Sequence, residues 1–121
     1  MKKIVIVGGG ASGMMAAIAA AKENPAAKIR ILERKDLPGK KILSTGNGRC
    51  NFTNQVMNMN CFFSDTPNGI EEVLQQFGTK ETLDVFSDLG ILPKDRNGYY
   101  YPRSGVINRK CAQDETSAGR R

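Results

Sequence analysis

A glycine-rich hexapeptide near the N-terminus has the residue types and the spacing of a phosphate-binding turn. In "GGGASG", Gly8, Gly10 and Gly13 fit the pattern G-x-G-x-x-G. Glycine lets a backbone turn tightly and approach a pyrophosphate closely. Glu33 follows Gly13 by twenty residues, and its carboxylate can accept hydrogen bonds from a ribose. The chemistry indicated is the binding of a dinucleotide.

The elements predicted around this hexapeptide are those that such a turn requires. Residues 2–7 ("KKIVIV") predict a short buried strand, and residues 11–23 a helix of small residues. Residues 28–33 ("KIRILE") predict a second strand that ends in the carboxylate. This order predicts a parallel βαβ unit with a right-handed crossover. The alternative is a strand–helix turn that needs glycine for steric reasons only, but the three elements in register favour a dinucleotide site.

The pattern leaves open which dinucleotide binds, because NAD and FAD share it. A carboxylate at residue 33 would repel a 2′-phosphate and so disfavours NADP, although the neighbouring Arg34 could accommodate one.

A second loop, "GKKILSTGNGRCN" (residues 39–51), concentrates cations, glycines and hydrogen-bond donors. Its cations and neutral donors are Lys40, Lys41, Thr45, Asn47, Arg49 and Asn51, with Gly46 and Gly48 between them. Such a composition suits a second approach to a pyrophosphate or to a polar ring. The alternative is a solvated polar loop without a ligand.

The run "ERKDLPGKKILSTGNGRCNFTN", which follows "IVIVGGGASGMMAA", resembles the BaiN-type, aminoacetone-oxidase-like family of NAD(P)/FAD-dependent flavoprotein oxidoreductases. The block G-[KR]-K-[IL]-L-x-[ST]-G-N-G-R-C-N is far longer than a generic dinucleotide pattern. The resemblance is strong over residues 1–54 and weaker from there to "NGYYYPRSG". It implies an α/β fold, with FAD as the cofactor and NAD(P)H as a possible electron donor.

The resemblance also implies which residues hold FAD. On the pyrophosphate and ribose side they are Gly8, Gly10, Ala11, Ser12, Gly13, Glu33 and Arg34. On the phosphate, ribityl and flavin side they are Lys40, Lys41, Thr45, Gly46, Asn47, Gly48, Arg49, Cys50 and Asn51. No catalytic side chain is named, because the flavin would carry the hydride chemistry. A redox role for Cys50 is disfavoured, since no resolving cysteine lies nearby.

Three segments follow from these patterns. Residues 1–54 are predicted to form the N-terminal βαβ part of a Rossmann-like FAD-binding domain together with its glycine-rich flavin loop. Residues 55–105 are predicted to form the start of an inserted helical and hairpin region. Residues 106–121 lose the family's pattern, and we expect a disordered or frameshifted tail there.

Within the middle segment we expect two short helices and a hairpin. The first helix is predicted to begin at an N-cap Asn68, with Glu71 completing a capping box, and to stop at Gly78; the second runs from Thr79 to Gly90. The hairpin is predicted to turn at Asn97-Gly98, with Pro93 and Pro102 confining its strands to an edge.

The sheet predicted here has only two strands, whereas a doubly wound domain needs more. Family members are several times longer, and their additional segments complete the sheet. Uncovered faces on the first strand and the first helix predict self-association. We therefore expect this chain to lack activity of its own. Two other hypotheses stay open: a non-catalytic dinucleotide-binding module, and a truncated fragment without a ligand.

Composition narrows the class of partner. The 121 residues carry a net charge of +6, and residues 1–54 hold ten Lys and Arg against three Asp and Glu, which suits an anionic ligand. Nucleic acid is disfavoured because the first fifty residues contain no aromatic residue.

Three cysteines without C-x-x-C spacing and no histidine argue against a metal site and a disulfide framework, and fit a reducing cytosol. Three glycines interrupt the apolar N-terminal run, which argues against a signal peptide or membrane span. We expect a cytoplasmic chain with a small-molecule substrate.

Overall fold

The computed structural model describes residues 1–104, which form two compact units: Met1–Gly48 and a second unit that begins at Arg49. The sequence placed this boundary after residue 54. The structure places it earlier, because Thr53 and Asn54 pair with a strand of the second unit. The predicted tail, residues 106–121, lies outside the described residues.

The first unit is a βαβ unit, as predicted. Strand β1 spans Lys3–Val7, helix α1 spans Ala11–Glu23, and strand β2 spans Lys28–Leu32. The two strands pair in parallel, with Lys3 opposite Lys28 and Val7 opposite Leu32. Glu33 therefore follows the last residue of β2 directly, on the same side of the unit as the glycine turn after β1.

The two faces of this small sheet differ in burial. Four isoleucines, Ile4, Ile6, Ile29 and Ile31, form a half-buried face. On the other face, Val5 is 57% exposed, Val7 85% and Leu32 49%. The expectation of a buried strand β1 is therefore wrong for this face, because one crossover helix covers only one side of a two-stranded sheet.

The second unit combines two helices with a three-stranded antiparallel sheet. Helix α2 spans Pro67–Gln76 and helix α3 spans Thr79–Asp88. Strands β3 (Thr53–Asn54), β4 (Pro93–Arg96) and β5 (Tyr99–Pro102) are ordered β3-β5-β4. The rings of Phe52 and Phe86 stack with their centroids 4.4 Å apart. The predicted helices and hairpin are thus present.

The predicted start of α2 at an N-cap Asn68 is wrong. The N-cap is Thr66, and Pro67 occupies the first turn, where the fixed φ of proline suits a helix and its missing N–H costs nothing. The reciprocal contact expected there occurs instead in part at α3, where the Glu81 carboxylate accepts the N–H of Gly78 at 2.9 Å.

The hairpin turns at Asn97-Gly98 as predicted. Asn97 and Gly98 have φ values of 55° and 82°, as a two-residue type I′ turn requires. The expectation that both hairpin strands lie at an edge is wrong for β5, which pairs with β3 through Tyr99 and Tyr100 as well as with β4. Pro102 is compatible with this central strand because the ladder to β3 stops before it.

Candidate functional site

The glycine turn after β1 is shaped by two glycines whose conformations or surroundings exclude a side chain. Gly8 has a φ of +99°, and its N–H donates to the carbonyl of Leu32 at 2.7 Å, which ties the turn to the end of β2. A Cβ at Gly13 would overlap the carbonyl oxygen of Gly8 and lie 3.5 Å from Cγ2 of Ile6. Gly13 therefore lets α1 lie directly against the turn, the role its position in the pattern predicts.

The N-terminus of α1 is open to an anion. Its N-cap, Gly10, has an extended backbone; within the described chain no side chain caps the helix there, and the first turn holds no acidic residue. A Cβ at Gly10 would meet nothing within 4 Å, so the space beside the turn is accessible. Ala11 and Ser12 are exposed. Free N–H groups and the partial positive charge of a helix N-terminus suit a phosphate.

Glu33 lies at this turn and is held by backbone N–H groups. Its Oε2 accepts the N–H of Gly9 at 2.7 Å, and its Oε1 accepts the N–H of Lys35 at 2.8 Å. The hydrogen bond from Lys35, followed by that from Gly9, lowers the pKa of the Glu33 carboxyl below its ordinary value. The ionised carboxylate keeps further lone pairs, so it can still accept a ribose hydroxyl. Arg34 beside it is exposed.

The loop that follows β2 returns to the glycine turn. The N–H of Gly39 donates to the carbonyl of Gly9 at 2.7 Å. Gly39 has a φ of +68°, and a Cβ there would lie 3.1 Å from Cε of Met14 in α1. The sequence did not single out Gly9 or Gly39. One feature of the sequence could have indicated a role for Gly9: it is a glycine at a position that the pattern G-x-G-x-x-G leaves unspecified.

The basic loop beyond Gly39 uses much of its hydrogen bonding internally. The Thr45 hydroxyl, expected to face a cofactor, donates to the carbonyl of Ile42 at 2.8 Å. The Lys40 ammonium lies 3.6 Å from the Asp36 carboxylate, and both side chains are exposed. Lys41 is exposed as well. Left-handed backbone conformations at Gly46, Asn47 and Gly48 turn the loop tightly.

Arg49, Cys50 and Asn51 belong to the second unit. The Asn51 side-chain amide donates to the carbonyls of Thr53 at 2.9 Å and Tyr100 at 3.1 Å. Both donor hydrogens that were expected to face a flavin thus join β3 to β5. Cys50 is half-buried, has a φ of 57° and is not in a disulfide, while Arg49 is exposed.

Other kinds of site find little support in the part of the chain that the structure describes. Residues 1–104 contain no group of three or more cysteine or acidic side chains placed to hold a metal ion. No helix in the same range has both the length and the apolar character needed to cross a membrane.

The geometry of a strand, a glycine turn, an open helix N-terminus and a carboxylate held at that turn agrees with the match to a family model. Residues 2–108 match the model described as the HI0933-like protein Rossmann domain. The chain belongs to this family. The Rossmann-like α/β fold and the resemblance predicted from the sequence are thereby confirmed.

Curated relatives extend this finding. Over 104 residues, 86% of this chain, it is 54% identical to a 3-dehydro-bile acid delta(4,6)-reductase of Clostridium scindens, of which it covers 25%. Over 72% of the chain it is 31% identical to the ribosomal RNA dihydrouridine synthase of Escherichia coli and 28% identical to that of Haemophilus influenzae, covering 21% of each. The chain therefore spans about a quarter of the length of the curated relatives it matches.

Proposed function

We propose that this chain is the FAD-binding N-terminal portion of an oxidoreductase. The observation that carries the proposal is the position of Glu33, whose carboxylate is held at the glycine turn beside the open N-terminus of α1. A pyrophosphate on that helix terminus and a ribose on that carboxylate are the two contacts a Rossmann turn makes with a dinucleotide. The similarity to a reductase over the same residues supports the redox class.

In this proposal, two groups of residues hold FAD. The pyrophosphate and adenosine side is formed by Gly8, Gly10, Ala11, Ser12, Gly13, Glu33 and Arg34. The flavin side is formed by Lys40, Lys41, Gly46, Asn47, Gly48, Arg49 and Cys50, while Thr45 and Asn51 contribute backbone rather than their already bonded side chains. FAD, once bound, would supply two-electron transfer; the chain's own residues bind and orient it.

The electron donor and substrate belong to the longer protein. We propose NAD(P)H as the donor and a small organic molecule as the substrate, in the cytoplasm. The similarity to the bile acid reductase lies over the residues that shape the nucleotide site, so it supports the cofactor more strongly than it supports a particular substrate. The 121-residue chain by itself is proposed to bind FAD without turnover of the organic substrate, which the longer protein would bind.

A second candidate substrate is ribosomal RNA. It is favoured by the ribosomal RNA dihydrouridine synthases, the two relatives that are 31% and 28% identical to this chain. The excess of ten cations over three acids in residues 1–54 is compatible with an RNA, although it also suits FAD itself. We rank it second because the reductase is the more similar of these relatives.

An anaerobic reduction experiment tests the proposal. The purified chain is loaded with FAD and freed of excess cofactor, NADH or NADPH is added, and the visible absorbance of the flavin is followed. Retained FAD that is bleached by a nicotinamide supports an oxidoreductase portion. FAD that is retained and not bleached supports the non-catalytic dinucleotide module. A chain that retains no FAD overturns the proposal and leaves the ligand-free fragment.

A further inference from the structure

Gly9 makes contacts that the dinucleotide pattern does not account for. The pattern asks for glycine at residues 8, 10 and 13 and leaves residue 9 unspecified. Yet Gly9 is buried, in a unit whose neighbouring residues are mostly half-buried or exposed. Its N–H donates to Glu33 Oε2 at 2.7 Å, and its carbonyl accepts the N–H of Gly39 at 2.7 Å. Both of its backbone groups therefore hold the segment that follows β2.

The space around Gly9 excludes a side chain. A Cβ there would lie 3.0 Å from Glu33 Oε2, 3.0 Å from the Cβ of Pro38 and 3.2 Å from the Cβ of Glu33. Each distance is shorter than an ordinary van der Waals contact between such atoms. The Pro38 ring is rigid, so the Glu33 side chain is the neighbour that would move.

The segment from Glu33 to Gly39 is fastened at both ends by these contacts. At its start, Glu33 binds the N–H groups of Gly9 and Lys35. At its end, Gly39 binds the carbonyl of Gly9 and lies against Met14 of α1. A carboxylate held by backbone hydrogen bonds has less conformational freedom to lose when it contacts a ligand.

We propose that Gly9 is a positioning residue of the nucleotide site, which holds the Glu33 carboxylate in the orientation that receives the adenosine ribose. The proposal rests on the proposed function, since the ribose contact belongs to it. Gly9 acts through Glu33 and touches the ligand through no side chain. The lack of a Cβ at Gly9 and its two backbone hydrogen bonds together fix the orientation of the Glu33 carboxylate.

The first test needs no ligand. The carboxyl of Glu33 is titrated by NMR in the full 121-residue chain, in Gly9→Ala, and in Gly69→Ala as a control. Gly69 lies in α2, and a Cβ there would meet nothing within 4 Å. We expect the pKa of Glu33 to rise toward its ordinary value in Gly9→Ala and to stay unchanged in Gly69→Ala. An unchanged pKa in Gly9→Ala overturns the positioning role, whether or not the chain binds a nucleotide.

The second test compares two probes, ADP and 2′-deoxy-ADP, by calorimetric titration. A hydrogen bond from the ribose 2′-hydroxyl to a carboxylate should make the wild type prefer ADP by about tenfold. We expect Gly9→Ala to lose most of this preference, and Glu33→Gln likewise. In the double variant Gly9→Ala/Glu33→Gln the preference should fall no further, because both changes act on one contact.

The outcomes separate the positioning role from the proposed function. Equal losses of affinity for both probes in Gly9→Ala, with the preference for ADP kept, would show a merely structural role and overturn the inference. A wild-type chain that binds neither probe contradicts the proposed function and with it the ribose contact. In that case the NMR titration still decides whether Gly9 sets the carboxylate.

Discussion

Glu33 accepts hydrogen bonds from two backbone N–H groups, and this makes folding stability depend on pH. The N–H groups of Lys35 and Gly9 bind the ionised carboxylate and lower its pKa below the ordinary 4.5. Because the folded pKa is lower than the unfolded one, the unfolded chain binds the proton more readily. The contribution of Glu33 to stability is therefore complete above about pH 4.5 and is lost as the pH falls through the lowered value.

We expect the free energy of unfolding of the wild type to fall faster below pH 4.5 than that of Glu33→Gln, whose amide does not titrate. The measurement is chemical denaturation of both proteins across the acidic range. Glu81 also has a lowered pKa and contributes a similar dependence to both, so the difference between the two curves isolates Glu33. Parallel curves would contradict the assignment.

Gly13 supports a second residue-scale prediction. A methyl group there would overlap the Gly8 carbonyl, so Gly13→Ala should destabilise the first unit by about 1–3 kcal/mol, the usual cost of overpacking. Thermal unfolding followed by circular dichroism measures it. Gly69→Ala is the matched control and should melt at or above the wild-type temperature, since alanine is the better helix former. Equal melting of Gly13→Ala and wild type would contradict the close approach of α1 to the turn.

The residues of the site differ in how far sequence could predict them. Gly8 and Gly13 were predictable because their roles depend on neighbours fixed by the local βαβ order. The roles of Gly9 and Asn51 depend on partners distant in sequence, Gly39 and Tyr100, which no local pattern reveals. The sequence placed Thr45 at the cofactor by its polarity, but its hydroxyl binds the nearby Ile42 carbonyl.

At the scale of elements, one side chain helps to join strand β3 to the sheet of the second unit. Strand β3 has only two residues, Thr53 and Asn54, and such a strand has little stability of its own. The amide of Asn51 adds two hydrogen bonds, one to the Thr53 carbonyl within that segment and one to the Tyr100 carbonyl of β5. Asn51 thereby fastens β3 at the edge of the sheet.

Asn51→Ala should therefore lower the free energy of unfolding of the second unit by about 1–3 kcal/mol, since two side-chain hydrogen bonds to backbone carbonyls are lost. Denaturant unfolding monitored at a tyrosine signal measures this, and the exposed Asn60→Ala serves as control. A variant as stable as the wild type would show that the Asn51 amide is dispensable to the sheet and available for a ligand.

Elements that depend on a local sequence pattern were predicted well. Elements that depend on pairing with a strand distant in sequence were predicted less well. Helix α1 and the Asn97-Gly98 turn match their predictions because glycine and small-residue spacing specify them. Strand β3 was missed, since two residues carry no periodicity and become a strand only through pairing with β5. The start of α2 shifted because Pro67 suits a first turn better than Asn68 suits a cap.

At the scale of the whole molecule, the chain carries an apolar sheet face that the described residues leave open. Val5, Val7 and Leu32 are 57%, 85% and 49% exposed. Exposed apolar patches favour association, and the chain spans about a quarter of the length of its relatives. The sequence predicted this face from the number of strands alone.

Replacing the two valines by threonine should reduce self-association while the strand is kept, because threonine is also β-branched. We expect Val5→Thr/Val7→Thr to shift the sedimentation profile toward the monomer at concentrations where the wild type associates. Val73→Thr, at a side chain that is 61% exposed in α2, is the control and should leave the profile unchanged. Equal association of the wild type and the double variant would exclude this face as the contact.

We propose that the glycine turn and the basic loop hold FAD, and a titration of the 121-residue chain with FAD measures this binding. Flavin fluorescence and melting temperature are followed together, with the double variant Glu33→Ala/Arg49→Ala as control. We expect saturable binding that raises the melting temperature of the wild type and is absent from the variant. A wild-type chain that melts cooperatively and shows no saturable change with FAD would contradict it.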